Sequence, residues 1–236
     1  MSVIKEVFEK LQIADSGEKE KQLLDYRDEI LQRNQFINLT AITEPEEFLM
    51  KHYVDSLLCV SSEEFQRANR IIDVGTGAGF PGIPLAISFP EKEFILMDSL
   101  KKRLRVIEEL CCKFGIHNVT VLHGRAEELG RRKEYREQFD LCVSRAVANL
   151  STLSEYCLPF VRTGGSFISY KGPDCDTEVK NASRAISLLG GKLERIETPE
   201  IEKIPFEHRL IYIKKVNKTL SKYPRKPGTP SKEPIS

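Results

Sequence analysis

Apolar and polar positions follow two different rhythms along the chain. Over the first 65 residues apolar side chains recur every three or four positions. Val3, Val7, Phe8 and Leu11 form one stripe over 2–12; Leu23, Leu24, Tyr26, Ile30 and Leu31 form another over 18–34. This is helical spacing. A third helix is predicted over 46–60, with Pro45 tolerated near its start. From residue 70 short apolar runs take over: Arg70–Val74, Glu93–Asp98, Val119–His123, Asp140–Ser144 and Ser166–Tyr170. They read as strands, with helical stretches near 83–88, 100–114, 148–161 and 176–189. Strand alternating with helix predicts right-handed βαβ units and a mainly parallel sheet. Lys192–Glu197 and Arg209–Val216 read as two more strands with no helix between them, an antiparallel pair at one edge. Residues 217–236 hold four prolines and five basic residues, which predicts a tail rather than a packed element. The expected organisation is a helical extension over 1–65, an α/β domain over 66–216 and a basic tail over 217–236.

Composition places the 236-residue chain among ordinary globular proteins: 40% hydrophobic, 30% charged, net charge +1. No apolar run approaches the roughly 18 residues of a membrane span. The first 30 residues alternate acid and base, unlike a secretion signal. The small net charge hides a cancellation. Residues 1–70 carry 9 basic and 14 acidic side chains, and residues 217–236 carry 5 and 1. The six cysteines form no C-x-x-C pair and no zinc-spaced array with histidine, so reduced, buried thiols and a cytoplasmic setting are expected.

The candidate chemistry begins at Asp73-Val74-Gly75-Thr76-Gly77-Ala78-Gly79-Phe80-Pro81-Gly82, directly after the first strand. Ligands of open α/β sheets bind beyond the carboxyl ends of the strands. Glycines there let a ligand approach the backbone. The third glycine comes one position earlier than in the dinucleotide fingerprint, and an acid, Asp73, precedes the first. A pyrophosphate needs free helix amides, whereas a carboxylate suits a cationic ligand. S-adenosylmethionine, with an ammonium and a sulfonium and no phosphate, fits better than NAD or FAD. Asp98 ends the second strand, placed for ribose hydroxyls. Ala126 and Glu127 follow the third strand, where backbone and side chain are placed to meet adenine; an acidic helix start is the plainer alternative. Arg145 ends the fourth strand, over the mouth of the pocket. The basic runs Lys101-Lys102-Arg103 and Arg131-Arg132-Lys133 read as solvated helix faces that could flank that mouth.

The loop from Gly75 to Leu85, Asn38-Leu39-Thr40-Ala41-Ile42, His52-x-x-Asp55-Ser56 and Ser144-Arg145-Ala146 together resemble the bacterial glucose-inhibited division protein B, or RsmG, family. The likeness extends into Tyr223–Pro230. It implies a Rossmann-like class I S-adenosylmethionine-dependent methyltransferase fold with an N-terminal helical extension. It also implies methylation of N7 of a guanine in 16S rRNA of the small ribosomal subunit. Gly75, Phe80, Ala126, Glu127 and Arg145 are the implied cofactor contacts, joining Asp73, Thr76, Gly77, Gly79 and Asp98. Asn38, His52, Asp55 and Lys171, with Arg145, are the implied catalytic positions. Arg145, Asn38 and Lys171 are candidate donors to the base and Asp55 a candidate acceptor. Asn38 capping a turn and His52 packing on the sheet are the structural alternatives. Glu207-His208-Arg209 departs from relatives that place arginine before histidine. No metal and no membrane are expected, and the acting unit is expected to be a monomer. The rival functions are an NAD-linked oxidoreductase and a non-catalytic RNA-binding module with a vestigial pocket.

Overall fold

The computed structural model describes residues 2–14, 17–199 and 208–235. Its seven strands are β1 (Arg70–Val74), β2 (Glu93–Asp98), β3 (Val119–His123), β4 (Phe139–Arg145), β5 (Val161–Lys171), β6 (Gly191–Glu197) and β7 (Arg209–Lys215). They form one sheet in the order β3-β2-β1-β4-β5-β7-β6. The first five are mutually parallel, and β7 runs antiparallel between β5 and β6. The mainly parallel sheet and the antiparallel C-terminal pair are as the sequence predicts. β5 is longer than expected, starting at Val161, and the preceding helix stops at Cys157. Pro159 explains the early stop, because it disfavours helix at the residue before it.

Both faces of the central strands are covered, so their side chains enter two cores on alternate sides with period two, while the edge strands β3 and β6 are partly exposed. Ile71, Phe94, Leu96, Leu141, Val143 and Tyr212 face a core shared with Phe8, Tyr26, Ile30, Phe48 and Tyr53 of the N-terminal helices. Ile72, Ile95, Met97, Cys142, Phe167 and Ile213 face the other core, built on the helices Leu150–Cys157 and Asp176–Leu188. The N-terminal helices Val3–Lys10 and Glu18–Asn34 thus share a core with the sheet. All six cysteines are free; Cys111 is buried and its neighbour Cys112 exposed.

Two expectations are corrected. The helix expected over 46–60 is interrupted: a π-helical turn, Leu49–Val54, lies between Pro45–Phe48 and Asp55–Leu57. The Asp55 amide reaches back to the Met50 carbonyl, five residues away. Such turns are frequent at functional sites. The segment after β7 is packed, not loose. Tyr223 is buried in the second core, and Arg136 donates to the carbonyls of Thr219 and Tyr223 at 2.7 and 2.9 Å. Arg225 forks onto the fully buried Glu155. Proline and lysine content says nothing of buried acceptors waiting elsewhere on the surface. Residues 200–207, and with them Glu207, lie outside the described residues.

Candidate active site and cofactor trough

The glycine loop is held from below. The Gly75 and Thr76 amides both donate to the Met97 carbonyl, at 2.8 and 3.0 Å. Asp73, fully buried, accepts from Thr76 Oγ1 at 2.7 Å and from the Gly82 amide at 2.9 Å through Oδ2. Its Oδ1 is buried with no hydrogen-bond partner among the described residues. Burial pushes its pKa up to about 7, against the pull of those two hydrogen bonds. The expectation that Asp73 faces a cationic ligand is therefore corrected: it braces the loop and does not line the trough. Gly79 is also structural, since a Cβ there would sit 2.6 Å from Ile83 Cγ1. The Tyr26 hydroxyl ties down the Ala78 carbonyl at 2.9 Å. Gly77, at φ +61°, has nothing within 4 Å of a would-be Cβ and presents open backbone. Its amide donates to Asp98 Oδ2 at 3.0 Å, and the Leu100 amide to Asp98 Oδ1 at 2.8 Å.

Two hollows meet over the carboxyl ends of the strands. One, of about 300 Å³, is walled by Asp98, Ala126, Glu127, Val147 and Tyr156. The other, of about 540 Å³, is walled by Leu39, Ile42, His52, Asp55, Phe80, Arg145 and His208, with Thr76 and Gly77 along its floor. Gly75, Arg103 and Ala146 belong to both, so the two make one trough. The smaller hollow joins apolar surface to the acceptors Asp98 and Glu127, which suits an adenosine's flat base and hydroxyl donors. The Gly82 amide, at the start of the helix after the loop, is already taken by Asp73. A pyrophosphate would need that amide free. The residues present therefore fit S-adenosylmethionine and not a dinucleotide.

The larger hollow is organised by Arg145, whose side chain is 8% exposed. It pairs with Asp55, donates to the Lys51 carbonyl at 2.9 Å and reaches His52 Nδ1 at 3.0 Å. Arginine only donates, so His52 Nδ1 is the unprotonated acceptor and the ring proton sits on Nε2, 2.7 Å from Thr40 Oγ1. Burial, reinforced by the Arg145 charge, lowers the His52 pKa to about 3. Asp55 is buried, and its other oxygen accepts from His208 Nδ1 at 2.6 Å. Burial alone would raise the Asp55 pKa, but the His208 hydrogen bond and the Arg145 charge outweigh it and lower it.

Not every expected residue arrives here. Asn38 is exposed, and its carbonyl accepts from Arg103. The turn is clamped instead by Asn34, which accepts from the Leu39 and Thr40 amides. Lys171 lies outside the trough, donating to the Ala148 carbonyl at 2.6 Å and to Glu178 at 2.7 Å. Arg131 turns away to the carbonyls of Ser221 and Lys222. Sequence reasoning missed His208 as a partner of Asp55; Arg103, from one of the basic runs that could flank the mouth, does wall both hollows. The signals for His208 were its place immediately before the last strand and the departure of Glu207-His208-Arg209 from the family order, and neither pointed to Asp55.

A sequence model of the rRNA small subunit methyltransferase G family matches residues 19–205. The chain belongs to this family. It is 50% identical over 227 residues to the ribosomal RNA small subunit methyltransferase G of Clostridium novyi, covering 96% of this chain and 93% of that one. The Alkaliphilus metalliredigens protein of the same name is 51% identical over 218 residues, covering 91% and 90%. The fold is also that of an O-methyltransferase from Bacillus cereus solved with S-adenosylhomocysteine: TM-score 0.55, 19% identity, 81% of this chain and 91% of that chain. For an rRNA small subunit methyltransferase G family member, the cofactor that fits the trough is S-adenosylmethionine.

Proposed function

We propose that this chain transfers a methyl group from S-adenosylmethionine to N7 of a guanine in 16S rRNA of the small ribosomal subunit. The observation that carries the reading is the Arg145–Asp55–His52 cluster lining the same hollow as the open backbone of Gly77, in a chain of the methyltransferase G family. The bound cofactor supplies an electrophilic methyl group on sulfur. Asp98, Gly77, Ala126 and Glu127 would hold its nucleoside half, and Gly75 and Phe80 its amino-acid half beside the acceptor hollow.

Guanine N7 carries an in-plane lone pair and no proton, so the chain need supply no general base. The cluster agrees: His52 Nδ1 is already engaged by Arg145, and both Asp55 oxygens carry partners. What these residues do is position, which contributes several kcal/mol to such a transfer, up to about 7–11 in well-oriented cases. Leu39, Ile42 and Met50 offer apolar surface for the faces of the base. Donors of Arg145 not used within the cluster would meet guanine O6. RNA is read most readily at unpaired bases, so the target guanine sits in a loop. The acting unit is the monomer, working in the cytoplasm. Among the described residues no helix is long and apolar enough to cross a membrane.

Incubating the protein with methyl-labelled S-adenosylmethionine and small-subunit particles that lack the modification tests this. Label is expected at one guanine, cleavable by the borohydride and aniline treatment that detects N7 methylation. Absence of label on particles and on naked 16S rRNA alike would leave only a non-catalytic RNA-binding module.

A further inference from the structure

The segment after β7 turns back along the smaller hollow and touches two of its walls. The Gly228 amide donates to Glu127 Oε1 at 2.9 Å. Ser231 lies close enough to the Tyr156 hydroxyl to favour its ionised form, against the effect of burial. Glu127 and Tyr156 both line the hollow that fits adenosine. Three side chains on one face of the helix Leu150–Cys157 receive the segment: Thr152 donates to the Pro230 carbonyl at 2.9 Å, Glu155 holds Arg225, and Tyr156 meets Ser231. Positions i, i+3 and i+4 share a helix face. The attachment is strong where it is anchored. Glu155 is fully buried and receives both the Arg225 amide, at 2.6 Å, and its guanidinium fork. The buried Lys215 Nζ donates to Thr219 Oγ1 at 2.6 Å, pinning the start of the segment.

We infer that residues 224–232 are a strap that positions Glu127 and Tyr156 as the wall of the adenosine hollow. They set cofactor affinity rather than acting as an arm for RNA. A free glutamate turns about three side-chain bonds. One held at Oε1 by a backbone amide keeps a fixed plane and offers its remaining lone pairs to donors in the hollow. Of the strap's three basic side chains, Arg225 is taken up by Glu155, while Lys226 and Lys232 are exposed. The inference rests on placing the nucleoside beside Glu127.

Coupling between two sites is reciprocal: a strap that supports the hollow must itself be steadied by what fills it. In the unaltered chain, S-adenosylhomocysteine should slow amide hydrogen exchange over residues 225–232 by about tenfold or more, within the usual range of such couplings. Exchange that is unchanged there would overturn the inference. In the full chain, Arg225→Gln should raise the KM for S-adenosylmethionine about tenfold with the KM for the ribosomal particle unchanged, and Arg225→Lys should restore part of it. A raised KM for the particle with an unchanged cofactor KM would assign the segment to RNA and overturn it, as would no change in either. If Arg225→Gln does not fold, the exchange experiment decides. Glu127→Ala separates the two levels. Unchanged S-adenosylhomocysteine affinity in that variant means the nucleoside lies elsewhere. Weakened affinity with no effect from the strap means the strap alone is refuted.

Discussion

His52 lies flat against Phe80, with ring centroids 4.3 Å apart and planes within 1° of parallel. The Arg145 guanidinium stands 5.6 Å from the same Phe80 centroid and reaches His52 Nδ1 at 3.0 Å. An arginine next to an imidazolium would be repulsive, so this block is stable only with a neutral histidine. The last residue of the glycine loop before Pro81 and a residue of the π-helical turn thus form one rigid surface.

His52 should therefore remain neutral, protonated on Nε2, well below the pH at which histidines ordinarily titrate near 6.5. Because its folded pKa is lowered to about 3, its contribution to stability is full above pH 6.5 and is lost as pH falls toward 3. Nitrogen-15 NMR of the imidazole should show the neutral Nε2–H tautomer down to about pH 4. A transition near 6.5 would contradict the cluster.

Arg145 contributes to fold and turnover together. Asp55 and Arg145 are 4% and 8% exposed, and removing one member of such a pair strands a buried charge at a cost of about 3–5 kcal/mol. Arg145→Ala should show that loss in urea unfolding. Arg145→Lys keeps the charge but not the fork onto Lys51, Asp55 and His52. It should fold yet lose about 100-fold in kcat, the scale of a small misplacement. Wild-type turnover in the lysine variant would remove the geometric role.

Asp73 should make the protein less stable as pH rises. Its folded pKa is about 7 against roughly 4 unfolded. Between those values the folded state holds the extra proton, so the contribution is greatest at low pH and is lost toward pH 7. The slope is about 1.4 kcal/mol per pH unit within that window. Asp73→Asn should erase it, so the variant gains on wild type between pH 5 and pH 8 in denaturant titrations. A pH-independent difference would mean that Asp73 is ionised throughout.

Two glycines of one loop should respond differently. At Gly75 (φ +77°) a Cβ would lie 2.5 Å from Val147 Cγ2, whereas at Gly77 it meets nothing. Both alanine variants carry the left-handed backbone cost of about 1–2 kcal/mol. Gly75→Ala adds a clash and should lower Tm further. Gly77→Ala should lose cofactor affinity beyond its stability loss, because its Cβ projects into the trough. Calorimetric titration with S-adenosylhomocysteine beside thermal melts checks both.

Strand periodicity made the sheet legible in the sequence, because a parallel strand covered on both faces must be apolar throughout. β1, β2 and β3 begin and end where the apolar runs do. The glycine loop was legible for a similar reason: positive φ and open backbone leave few residue choices. The partners of Asp55 were not. His208 comes from a residue 153 positions away, and no local pattern announces such a meeting. Lys171 was implied only by the resemblance, and its acceptors, Ala148 and Glu178, hold it outside the trough. Asp73 misled because the sequence showed its charge but not its depth.

The placement of β7 between β5 and β6 constrains how the molecule is made. A chain emerging in order delivers β6 before the strand that must separate it from β5. Until residue 215 is free, β6 has no neighbour and the outer edge of β5 stays open. His208, which completes the Asp55 cluster, arrives with that same strand. Completion of the sheet edge and assembly of the Asp55 cluster are thus one late event in synthesis.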